Sequence, residues 1–136
     1  MKKNSVDIIR QMVDEKGKEL WSAIEQARDR AYNAHERIRG FKVIMYYWAY
    51  SDLAKIAGIS PEKVPGRELS AERVDAEIQK VKRKVNIQLK RIGEMDKEEA
   101  IKMLLAMERV LAIGRGEDPW QAADTLEADL LAKGLL

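Results

Sequence analysis

Ile9, Val13, Leu20, Ile24, Ala27, Ala31, Ala34 and Ile38 fall in steps of three and four residues, interrupted at Lys16-Gly17. That spacing lines one face of an α-helix and no face of a strand. An apolar seam of this kind must be covered, so the chain is committed from its start to packing helix on helix. Asn4 and Ser5 stand ahead of the seam as N-cap residues, predicting a first helix to about Ile38. At about 1.5 Å per residue, some 34 helical residues would reach roughly 50 Å. A domain of this length has a radius of gyration near ~14 Å, so an unbroken helix would overhang it. A second copy or a long polymer would then have to cover the Ala27, Ala31 and Ala34 stretch. The alternative is that Gly17 or Gly40 folds the helix back as a hairpin, since glycine weakens a helix interior.

The remaining punctuation is helical too. "FKVIMYYWAYSDLAKIA" after Gly40 predicts a second helix with Gly58 as its C-cap. Ser60-Pro61 opens a single turn that Pro65-Gly66 ends. Ser70 caps a third helix to about Ile92, stopped at Gly93. Asp96 with Glu99 forms a capping box for a fourth, to about Ile113 and the "GRG" that follows. Asp118-Pro119 with Gln121 opens a fifth, reaching about Lys133. Strand alternation and internal repeats are not evident. The expected class is all-α, with about five helices: a long N-terminal helix or basic helical arm over 1–40 and a helical bundle over 41–136, forming one structural unit. With 136 residues, 46% of them apolar, the chain has enough material for a real core.

Chemistry is quickly bounded. There is no cysteine and one histidine, His35, so Cys/His zinc sites and Cys–His nucleophiles are excluded. "GRGEDPW" lacks a Walker lysine and follows no strand, and a Glu-x-x-His di-iron pattern is missing. Glu98-Glu99 sits at a helix start, where capping and the helix dipole account for it. The expectation is a non-enzyme without cofactor, metal or catalytic residues. "MKKNSVDIIRQMVDEKGKEL" has no apolar signal core, and "VIMYYWAY" is far short of the about 20 residues a membrane span needs. No membrane insertion is expected.

The net charge of +2 conceals an asymmetry. Residues 1–93 hold 20 Lys/Arg against 13 Asp/Glu (+7), whereas residues 94–136 hold 5 against 10 (−5). Two surfaces with different partners, or neighbours attracting head to tail, would use such a division; ordinary surface scatter would also produce it. The basic side is concentrated in the third helix. From Gln79 to Arg91 it has six basic residues and no acid. Val74, Ile78, Val81, Val85, Leu89 and Ile92 form its apolar stripe. At about 100° per residue, Arg73, Lys80, Arg83, Lys84, Lys90 and Arg91 centre about 150° away from that stripe. A helix that packs on one side and is basic on the other suits a phosphate backbone. A solvated helix face is the alternative, although such faces usually mix signs to gain i,i+4 pairs. Lys82 flanks the stripe and can snorkel either way. Arg28, Arg30, Arg37, Arg39 and Lys42 form a second basic group, with His35 among them, and Lys2 and Lys3 a third. The aromatic group Phe41, Tyr46, Tyr47, Trp48 and Tyr50 suits either base stacking or a central core helix.

Two resemblances follow from these residues. "DLAKIAGISPEKV" resembles the helix-turn-helix family, with Ala54, Gly58, Ile59, Ser60 and Val64 at the family's spacings. That implies major-groove contacts from Pro61, Glu62 and Lys63. Pro65 departs from the pattern, because it lacks the amide a recognition helix needs to continue. The architecture also resembles the α-helical DNA-coating capsid proteins of archaeal filamentous viruses. Lys2-Lys3, "RDRAYNAHERIRG", the basic third helix, the charge asymmetry and a heat-adapted composition carry that likeness. It implies sequence-independent double-stranded DNA binding through phosphates, self-assembly or co-assembly with a related chain, and a place in the virion. A helix-turn-helix regulator and a helical protein–protein adaptor are the alternatives, and for these a cytoplasmic location is expected.

Overall fold

Asn4 starts the first helix by accepting the Asp7 amide on its side-chain oxygen at 2.9 Å. The computed structural model describes residues 4–33, 39–59 and 71–136, with backbone alone at 30–33, 39–47 and 71–74. It is all-α: α1 (Ser5–Asn33), α2 (Arg39–Ile56), α3 (Ala71–Lys90), a 3-10 turn (Ile92–Glu94), α4 (Lys97–Arg115) and α5 (Pro119–Ala132). Among the described residues there is no strand. None of these helices is long and apolar enough to cross a membrane.

α1 runs through Gly17 without a break, its 29 residues spanning about 43 Å. From Ile9 to Ala27 its seam is covered within the chain. Ile9, Val13, Leu20, Ile24 and Ala27 are all buried, chiefly against α4 and then α2. The alternative of a fold-back at Gly17 is therefore not taken. Gly17 is buried because α3 passes close by: a Cβ there would lie 3.2 Å from Leu89 Cδ1. The crossing of α1 and α4 is tighter. A Cβ on Gly114 would lie 2.7 Å from the Ala23 carbonyl oxygen and 2.9 Å from its Cα. The expected stop at Ile113 is thus displaced to Arg115, since Gly114 serves helix-to-helix contact inside α4 and Gly116 is the cap (φ 78°).

α2 enters the core with its second half, where Ala49, Tyr50, Leu53, Ala54 and Ala57 are buried and Trp48 is half-buried. Gly58 ends it in the left-handed region (φ 74°), with Ile59 N–H donating to Ala54 O and Gly58 N–H to Lys55 O. The side chains of Phe41, Tyr46 and Tyr47 lie outside the described set. So do residues 34–38 and 60–70, and with them the expected end of the first helix, the Ser60 turn, Pro65-Gly66 and the Ser70 cap. α4 and α5 begin as their sequences require. Asp96 accepts the Glu99 amide, and Asp118 accepts those of Trp120 and Gln121.

Long-range ion pairs tie the helices laterally. Lys16 of α1 meets Glu108 of α4 at 2.6 Å, and Arg109 of α4 meets Asp52 of α2 at 2.9 Å. Arg10 donates from Nε, at 2.9 Å, and from a second guanidinium nitrogen to the Met95 carbonyl, closing the 3-10 turn onto α1.

Candidate nucleic-acid interface

α3 is the element whose faces separate most cleanly. Ile78, Val81 and Val85 are buried, with Leu89 and Ile92 packed against the same core. Lys80, Arg83, Lys84, Lys90 and Arg91 are all exposed on the other side. Burial of the apolar stripe fixes the rotation of the helix, and that rotation turns the five cations outward together. Lys80 pairs with Glu77 at 3.2 Å and Arg91 with Glu94 at 3.2 Å, both at the surface. Arg83, Lys84 and Lys90 make no ion pair among the described residues. Such surface pairs are weak, so Lys80 and Arg91 stay available to a stronger anion. Lys82 lies over the Trp21 ring, 5.3 Å from its centroid, and so is drawn to the packed side.

The other predicted contacts divide. Arg28 is half-buried and bound to Asp75 of α3 at 2.8 Å, with Asp29 at 3.8 Å. It joins α1 to α3 at the edge of the basic face rather than projecting from it. Arg30, Arg39, Lys42 and Arg73 lie on α1, α2, α2 and α3, and their side chains are not among those described. Lys2, Lys3, His35 and Arg37 lie outside the described residues, as do Pro61, Glu62 and Lys63 of the helix-turn-helix-like stretch.

The sequence did not reveal two clefts. One of about 730 Å³ lies between α2, the end of α3, the 3-10 turn and α4. Its floor is Ile56, Met95, Met103 and Ala106, and its rim mixes Lys55, Arg91, Lys102 and Arg109 with Asp52, Glu94 and Glu99. Gln88 donates to the Ile56 carbonyl there at 2.9 Å, while its buried Oε1 has no hydrogen bond among the described residues. Among the described residues its lining contains no serine, threonine or histidine. The other, about 530 Å³, lies between α1, α4 and α5 and is acidic, with Glu108, Glu117, Asp118 and Asp129 against Lys16. Hydrogen bonding to Glu117, and then to Glu108, holds the Arg115 guanidinium above its ordinary pKa. Among the described residues no group of three or more acids or histidines is placed to hold a metal ion.

Contacts between residues 92 apart (Lys16–Glu108) and 57 apart (Asp52–Arg109) have no local sequence signal. The α3 face, by contrast, is written into a single helical period. Compared with known protein families, curated proteins and solved structures, the chain matches none.

Proposed function

We propose that this chain is a non-catalytic, DNA-coating protein that binds double-stranded DNA through phosphate contacts and assembles along it. The observation that carries the reading is the outer face of α3, where five exposed cations lie together and three of them have no ion pair among the described residues. A helix locked by its buried stripe presents those charges without further ordering of its backbone. The entropic cost of binding is then mostly that of the lysine and arginine side chains. Phosphate contacts of this kind position a duplex without reading its sequence. The acidic α4–α5 end would face neighbouring subunits. Arg30, Arg37, Arg39, Lys42, Arg73, Lys2 and Lys3 extend the same function in this reading, on the strength of the resemblance to filamentous-virus coat proteins.

Binding of a fluorescent duplex at graded salt tests the reading. The expected result is a log–log salt dependence falling by about 0.9 per phosphate contact, with no preference among unrelated duplexes. Charge reversal at Lys80, Lys84 and Arg91 should weaken binding to all of them equally. A preference of about 10³ for one sequence would identify a regulator instead. No binding at low salt would rule out nucleic acid and favour an acidic protein partner.

A further inference from the structure

The exposed large apolar side chains Ile87 and Leu131 sit on helices of opposite charge. Ile87, 56% exposed, lies at the centre of the α3 face. Arg83 and Lys84 precede it by four and three residues, and Lys90 and Arg91 follow by three and four, so all four are its surface neighbours. On α5, Trp120, Asp124, Glu127 and Leu131 succeed one another in steps of four, three and four and form a single outer stripe. Leu131 is 66% exposed and Trp120 54%. Asp124 and Glu127 are exposed, and neither makes an ion pair among the described residues, just as Arg83, Lys84 and Lys90 make none.

We propose that the α5 stripe of one copy docks on the α3 face of a second copy, with Asp124 and Glu127 set among Arg83, Lys84 and Lys90 while Leu131 covers Ile87. The occupant is a second copy of this chain because each face carries the charge the other lacks and an aliphatic residue the other can cover. Both faces are exposed, and among the described residues Arg83, Lys84, Lys90, Asp124 and Glu127 make no ion pair. The contact joins unlike patches, so it can repeat from copy to copy. It rests on the reading of α3 as a polyanion-binding face: the neighbour's carboxylates stand where phosphates would, so on any one subunit the docked copy and DNA compete for that face.

A pair of charge-reversed variants tests it. One carries Arg83→Glu, Lys84→Glu and Lys90→Glu; the other carries Asp124→Lys and Glu127→Lys. All five positions are exposed, and circular dichroism confirms that each variant is folded. Without DNA and at low salt, sedimentation velocity should show the unaltered protein self-associating and dissociating as salt rises. Each variant alone should lose self-association by about tenfold or more, since like charges then face each other. Mixing the two should restore it, because each supplies the face the other needs. A monomeric unaltered protein at low salt overturns the proposal, and so does a mixture no more associated than its parts. The α5 variant should still bind duplex DNA, so loss of self-association and loss of DNA binding are separately visible. If neither the unaltered protein nor that variant binds DNA while the mixture associates, the coating function fails and this contact stands.

Discussion

Two glycines inside helices are held there by opposite balances. At Gly114 an added Cβ meets the Ala23 backbone at 2.7–2.9 Å, which only a shift of α1 against α4 can relieve. At Gly17 the nearest atom is the tip of the Leu89 side chain at 3.2 Å, which can rotate away. Alanine gains about 1 kcal/mol in helix propensity at both positions. Overpacking costs typically about 1–3 kcal/mol and applies in full only where backbone is struck. Gly114→Ala should therefore lower the thermal midpoint by several degrees, whereas Gly17→Ala should leave it unchanged or raise it. Melting curves of the two variants side by side check this. The sequence marks both residues as helix interruptions. It says nothing of the neighbour each one admits, because Ala23 and Leu89 are brought there by tertiary packing.

At the scale of single helices, sequence and structure agree where the signal is local. Asp96 and Asp118 cap α4 and α5 through their own side chains, at distances of 2.8–3.1 Å to amides two or three residues on. Asp96→Ala and Asp118→Ala should each cost about 0.5–2 kcal/mol, read by denaturant unfolding, and an Asn at either position should recover most of it. α3 was legible for the same reason: buried stripe and basic face both lie within one helical period. Arg28 was not, since its partner Asp75 belongs to another helix 47 residues away. The arginine was visible in the sequence as a cation, and the carboxylate that engages it was not. The helix-turn-helix-like stretch shows its first half alone, where Gly58 and Ile59 close α2 by ordinary C-capping.

For the whole molecule, the consequence of α1 is cooperativity. Its buried seam touches α4, α2 and α3 in turn, so no helix can leave without exposing apolar surface on another. Trp21 on α1 reports from one place, and Trp48 on α2 with Trp120 on α5, their ring centroids 6.1 Å apart, from a second. Tryptophan fluorescence and far-ultraviolet circular dichroism should give coincident unfolding transitions. Separate transitions would mean that α5, which packs chiefly on α4, unfolds alone.

The helical class, the caps and the two-faced α3 were already present in the order of the residues, because each depends on neighbours within about one turn to a few turns of chain. The cover for α1, the meaning of Gly17 and Gly114, the engagement of Arg28 and the clefts between helices arose only when distant segments met. Periodicity says that a face must be buried; it does not say by what. Here the answer, for the seam from Ile9 to Ala27, was chiefly α4.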